Sequence, residues 1–172
     1  MNDKILVAYA SRAGSTAGVA EAIGKTLAEG GAQVDVLPVS EVKDLAPYRA
    51  VVVGSAIQGG VWLPEAMQFV QTHQAALSKK RCAAFLVCMT LSMRYGEKYR
   101  PHVATWLAPA RALLKPVSEG LFAGALDIHK ISSASDRFKF RLSVLFGVWP
   151  EGDNRDWEAI RTWAENLRQN HF

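Results

Sequence analysis

Ser11, Gly14, Ser15 and Thr16 are the residues whose types and spacing most clearly suit chemistry. They fall within one short stretch, Ser11-Arg12-Ala13-Gly14-Ser15-Thr16, between an apolar run that ends at Ala10 and a helix-periodic segment. A helix that opens on Ser, Gly, Ser and Thr leaves backbone N–H groups and hydroxyls pointing at one spot. That spot suits an anion, most naturally a phosphate. The ATP-type loop would need a Gly-Lys-Ser/Thr ending, and the dinucleotide fingerprint needs three glycines in a fixed pattern. Neither is present, so the loop suits a single terminal phosphate held by amides and hydroxyls. Arg12 either adds charge to this site or points into water.

Other reactive side chains say less. Cys82 and Cys88 are the only cysteines of the 172-residue chain. Six residues apart on one strand, they would sit about 20 Å from each other, too far for a disulfide. They read as small core residues, with thiol redox chemistry as the alternative. His73, His102, His129 and His171 show no metal-ligand spacing, and no metal site is expected. The formal net charge of +4 suits an anionic membrane surface or an acidic substrate. No zinc motif, helix-turn-helix or aromatic RNA-binding signature accompanies it, which argues against nucleic acid. With no signal-peptide pattern and no bilayer-length apolar run, the expected location is cytoplasmic.

The elements that must position the loop alternate along the chain. Strands are expected near 4–10, 33–38, 50–54, 82–88 and 120–125. Helices are expected near 16–30, 64–77 and 100–114, the last interrupted by Pro109. A final helix starts behind Asp153 or Asn154, with Trp157, Ile160, Ala164 and Leu167 as its inward stripe. Continuous Ile/Val/Leu runs such as Val51-Val52-Val53 suit strands covered on both faces. Five strands alternating with helices predict a single α/β domain with a doubly wound parallel sheet. Ligands then bind beyond the carboxyl ends of the strands, where the loops 11–16, 55–63 and 89–98 should meet.

The 11–16 stretch resembles the phosphate loop of flavodoxins, a hydroxyl-rich Ser/Thr-x-Thr-Gly-x-Thr pattern, with Ala13 in place of one hydroxyl. The stretch Val51-Val52-Val53-Gly54-Ser55-Ala56-Ile57-Gln58-Gly59-Gly60 resembles the third strand and flavin loop of the menaquinone-dependent protoporphyrinogen oxidase branch of flavodoxin-like proteins. Gly124-Ala125 and Gly152-Asp153…Asp156-Trp157 are similar as well. The resemblance implies a flavodoxin-like sheet of order 2-1-3-4-5 and an FMN cofactor. It implies that Ser11, Arg12, Ala13, Gly14, Ser15 and Thr16 face the phosphate. Ser55, Ala56, Ile57, Gln58, Gly59, Gly60, Trp62, Met89, Thr90, Leu91 and Tyr95 would line the flavin. Trp62 and Tyr95 lie where flavodoxins place ring-stacking aromatics, although Trp62 also suits a surface anchor onto the next helix. Gly59 and Gly60 suit either a peptide that turns when the flavin is reduced or a simple tight turn.

A simple five-stranded flavodoxin needs only a short link before its last helix. This chain has an extra segment at about 130–152, in which Phe138, Leu142, Leu145 and Trp149 share one helical face. Lys130, Arg137, Lys139 and Arg141 gather at its start. The segment either packs on the sheet edge or forms a basic amphipathic surface touching membrane lipid, quinone or a partner subunit. The resemblance implies an oxidoreductase that takes electrons from a porphyrinogen through FMN to a quinone, with the flavin carrying the chemistry. It also implies peripheral membrane contact through 130–149 and a homo-oligomer. Arg94, Lys98 and Arg100 would hold a dicarboxylate substrate, or are solvated loop charges. The alternatives are a flavodoxin-type electron carrier, an NAD(P)H-fed quinone reductase, and a scaffold without cofactor.

Overall fold

The computed structural model describes residues 4–172. Five strands form its parallel frame: β1 (Lys4–Ala10), β2 (Gln33–Pro38), β3 (Tyr48–Gln58), β5 (Arg81–Cys88) and β6 (Glu119–Ala123). Their spatial order is β2-β1-β3-β5-β6, with every pair on this path parallel. This is the expected 2-1-3-4-5 order of a flavodoxin-like fold. A two-residue strand, β4 (Val61–Trp62), pairs antiparallel with the end of β3.

Alternation along the strands splits the core into two layers. Leu6 and Ala8 of β1, with Val51 and Val53 of β3, face a cluster that includes Val70, Leu77, Val103 and Leu107. Those partners come from α2 (Pro64–Thr72), α3 (Gln74–Leu77), α4 (Arg100–Thr105) and the residue that precedes α5 (Ala108–Leu114). Ile5, Val7, Val52 and Phe85 face the other layer with Val19, Ile23, Leu27, Ile160, Ala164 and Leu167. That layer is covered by α1 (Ser15–Ala28) and α7 (Trp157–Asn170). Coverage on both faces explains why β5 is buried from Cys82 to Cys88. Phe85, Phe122 and Trp163 form an aromatic cluster with centroids 5.6–6.2 Å apart. Gly54 lies beside Phe85 in register, and a Cβ there would fall 1.9 Å from the phenyl ring.

Several expected boundaries shift. The 64–77 helix is two pieces, parted at His73. The 100–114 helix breaks at Trp106–Leu107, and Pro109 stands in the first turn of the second piece, where it costs no hydrogen bond. The third strand runs beyond Gly54 to Gln58, so half of the expected 55–63 loop is a β-hairpin closed by Gly59 and Gly60. The fifth strand ends at Ala123. Ala125–Leu126 (β7) leaves the sheet and pairs antiparallel with Gly152–Asp153 (β8). This small ladder ties off the extra segment at its base. Within the segment lies α6 (Ala134–Leu145), capped by Ser133, whose Oγ accepts from Asp136 N–H at 3.3 Å. The last helix is capped by Asp156, not by Asp153 or Asn154. Asp156 Oδ1 accepts from Ala159 N–H at 2.9 Å. Trp157, expected in the inward stripe, is partly exposed.

A cleft at the switch point

β1 and β3 are the strands from which the chain turns to opposite sides, so their carboxyl ends mark the switch point. A cleft of about 190 Å³ opens there, lined in part by Ser11–Ala13, Ser15, Thr16, Ala56 and Ile57. The phosphate-loop residues are therefore brought together at one mouth. Gly14 precedes α1 in the left-handed region at φ 89°, with no side chain capping the helix and no acidic residue in its first turn. Its own N–H donates to Ser11 Oγ at 3.1 Å, which braces the turn. The first amides of α1 have no intrahelical acceptor and Thr16 is buried. Arg12 is more than half exposed, and its charge is engaged at the surface. Its guanidinium pairs with both carboxylate oxygens of Glu65 in α2, at 2.6 and 3.1 Å.

The other expected loops contribute unequally. Met89 lines the cleft beside Val87 and Cys88. A Cβ on Gly124 would sit 3.3 Å from Met89 Sδ and 3.4 Å from Ser15 Oγ, so the glycine keeps this passage narrow but open. Ser55 is fully buried, and its hydroxyl is spent inside the protein. It donates to Ala56 O at 2.8 Å and accepts from Leu63 N–H at 3.0 Å. Gln58, Gly59 and Gly60 lie in the hairpin and its turn. The turn's φ values of 61° and 79° are those of a two-residue turn that glycine supports. Trp62 is only 3% exposed and packs in the core. Its ring is a core element, and neither ring stacking nor surface anchoring describes it.

Thr90 and Leu91 form a short 3₁₀ turn, and Leu91 is buried in the core. Tyr95 is 58% exposed, with Lys98 Nζ 5.0 Å and the Arg94 guanidinium 5.5 Å from its ring centre. Arg100 is not a free rim charge. It pairs with Glu97 at 2.7 Å and donates to Leu121 O at 3.1 Å. The Arg100 hydrogen bond holds the Glu97 carboxyl below its ordinary pKa.

Both thiols are free and buried. Burial pushes Cys82 up to about 11 and also raises Cys88. A neutral thiol is a poor nucleophile, so the Cys88 side chain at the cleft acts as a small apolar wall. Among the described residues, no group of three His, Cys, Asp or Glu side chains could hold a metal ion.

Several lining residues were not expected. Leu126 of β7 and the following Asp127, with Ile131 and Phe140 of the extra segment, close the cleft. Phe140 is held edge-on against Trp149, centroids 5.7 Å apart. Arg155 reaches the phosphate loop from the far end of that segment, its Nη1 donating to Ser15 O at 3.2 Å. The helical periodicity of 138–149 revealed an apolar face but not that Phe140, off that face, turns inward.

Comparison with solved structures gives matches along the whole chain. An archaeal flavodoxin is 19% identical, with a TM-score of 0.54 and coverage of 96% of each chain. A flavodoxin of Streptococcus pneumoniae TIGR4 is 17% identical, with a TM-score of 0.56, covering 95% of this chain and 97% of its own. A short-chain flavodoxin associated with a bacterial microcompartment is 17% identical, with a TM-score of 0.60 and 95% coverage of both. At these identities the likeness is one of fold. No curated protein matches the chain. The flavodoxin domain matches residues 6–145, well over half of the chain, and the protein belongs to the flavodoxin domain family.

Proposed function

We propose that this chain is an FMN-binding redox protein that carries electrons between partners in the manner of a flavodoxin. One observation carries the reading: the uncapped, acid-free N-terminus of α1 opens on a cleft at the switch point, behind a left-handed glycine and two serine hydroxyls. The amides of Ser15 and Thr16, with the Ser11 and Ser15 hydroxyls, suit a terminal phosphate. Ala56, Ile57, Val87 and Met89 present an apolar wall that excludes water from the ring side. When bound, FMN would supply the electron chemistry, and the protein would orient it and tune its surroundings. The test is direct. The purified protein should be yellow, should release FMN on denaturation, and its apoprotein should bind FMN more tightly than FAD. A colourless protein that binds neither flavin rules the reading out.

A second reading follows from α6. Phe138, Leu145 and Phe146 are 64%, 77% and 77% exposed beside Arg137, Lys139 and Arg141. A cationic helix with an open apolar side suits peripheral contact with a membrane and delivery of electrons to a lipid-soluble quinone. It also suits a homo-oligomer joined through that face. Among the described residues, no helix is long and apolar enough to cross a membrane. In this reading the protein is an enzyme resembling quinone-dependent protoporphyrinogen oxidase, and Arg94 and Lys98 remain to receive an acidic substrate. Reoxidation of the reduced protein by menaquinone analogues in anionic vesicles supports it, as does turnover of protoporphyrinogen. Inertness toward both leaves the carrier.

A further inference from the structure

The return segment from β8 to α7 is fastened onto the phosphate loop by one side chain. Arg155 Nε and Nη2 donate to the two carboxylate oxygens of Asp153 at 2.7 and 2.9 Å. Its guanidinium lies over the Trp157 ring at 4.4 Å. Thus fixed in plane, it aims Nη1 at Ser15 O in the first turn of α1. The sequence makes room for it. A Cβ on Gly18 would lie 2.5 Å from Nη1, so a larger residue there would displace the guanidinium. Asn154 secures the same segment, its N–H donating to Gly124 O at 3.2 Å and its side-chain amide to Pro150 O and Gly152 O.

Between this latch and the Ala13–Ser15 turn lies a second small cavity of about 80 Å³, bordered by Asp127, Lys130 and Arg155. That is several times the roughly 10–15 Å³ that one water requires. Two cations and one carboxylate border this cavity, and a second carboxylate, Asp153, holds Arg155 from behind. Asp153 grips Arg155 at short range, whereas Lys130 Nζ stands 3.9 Å from Asp127 Oδ2 on a largely exposed side chain. Lys130 is therefore the charge that can turn toward an arriving anion.

We propose that Arg155 is the positioning residue of the phosphate loop and Lys130 its cation, so that this chain selects a phosphorylated flavin over the bare flavin through one residue of its extra segment and one just beyond it. The proposal rests on the FMN reading. Arg155 holds the Ser15 carbonyl and with it the convergent amides, and Lys130 exchanges Asp127 for phosphate oxygen. A charge-assisted contact of this kind outweighs a neutral one.

The test compares FMN with riboflavin on the apoprotein, by quenching of flavin fluorescence at two salt concentrations. Arg155→Gln should raise the Kd for FMN about tenfold while riboflavin changes less than about twofold. Lys130→Gln should raise the FMN Kd about threefold and flatten its salt dependence. Arg155→Lys should recover part of the loss. Equal weakening of both flavins by Arg155→Gln overturns the proposal, because a purely structural role predicts it. Unchanged FMN affinity in both neutral variants overturns it as well. If Arg155→Gln fails to fold on thermal melting, Lys130→Gln decides alone, since its side chain is exposed. Failure of the wild-type protein to bind either flavin counts against the FMN reading instead.

Discussion

Two segments border the same cleft and are held in opposite ways. The first, β1 with its loop and α1, is embedded in the core. Ile5, Leu6, Val7, Val19 and Ile23 are all buried, and Ser11 braces the turn from within. The second, from β7 through α6 to β8, has no buried residue in its helix. It is attached by the short β7–β8 ladder, by Asn154 and Arg155, and by Phe140 and Ile131 leaning into the cleft. Extensive hydrophobic burial fixes the first segment, whereas the second has buried apolar residues only at its base, Leu126 and Ile128, and is otherwise held by a few latches. The contrast puts the proposed phosphate contact on the rigid side. Whatever is particular to this chain lies on the side whose sequence can vary without disturbing the core.

Truncating the core should give the largest effect. Phe85 is fully buried between Phe122 and Trp163 and fills the space that Gly54 leaves open. Phe85→Ala should cost about 3–5 kcal/mol, through lost transfer energy and the cavity left behind. Urea denaturation measures it. A loss below about 1 kcal/mol would mean that the aromatic cluster does not bear the sheet, and the proposed division between the two segments would fail.

A smaller effect is expected at the start of β3. Tyr48 Oη donates to Asp35 Oδ2 at 2.8 Å. Burial first, then this hydrogen bond, raises the Tyr48 pKa from 10.0 to about 12. The folded state thus keeps the phenol proton longer than the unfolded chain does. That contribution is complete below pH 10 and is lost as pH rises through about 12. Tyr48→Phe should remove this alkaline loss and cost about 1–2 kcal/mol at neutral pH, as read from denaturation curves at a series of pH values. A wild-type curve that stays flat to pH 12 contradicts the assignment.

Gly14 ranks next. At φ 89° it has open space around it, with nothing within 4 Å of an added Cβ. Gly14→Ala therefore pays backbone strain without a clash, about 1–2 kcal/mol. It should also weaken FMN binding, because relaxing the turn re-aims the amides of α1. Stability lost with flavin affinity unchanged would separate the turn from the site.

The same contrast explains what the sequence made legible. The doubly wound α/β class is legible from period and alternation, because coverage on both faces forces continuous apolar runs, whereas the strand order comes from the resemblance to flavodoxins. The 11–16 turn is legible as one candidate site because its residues are contiguous, and the structure brings them to the mouth of one cleft. Trp62 turns into the core because Gly59-Gly60 closes a hairpin, the tight-turn alternative of the two readings, and two glycines between apolar residues are a hairpin signal. Asp153 and Asn154 both suit the cap of α7 by residue type, but the chain path through β8 delays the helix and gives the cap to Asp156. Arg155 was missed because its partner Ser15 lies 140 residues away in sequence. No local pattern encodes such a contact.

The smallest stability effect, and the sharpest use of the comparison, comes from α6. Phe138, Leu145 and Phe146 lie mostly in solvent. Changing all three to serine should therefore shift folding stability by only about 0.5 kcal/mol, against several for Phe85 alone. Phe140 is left in place, so the cleft keeps its wall and FMN affinity should not move. If the exposed face meets a membrane, the triple variant loses sedimentation with anionic vesicles while the wild type retains it. If the face joins copies of the chain, light scattering shows the variant as the smaller species. A variant unchanged in vesicle binding and in mass would make the apolar face of α6 a solvated surface. A variant that unfolds would show that α6 is bound to the core after all, and the division between the two segments would fall.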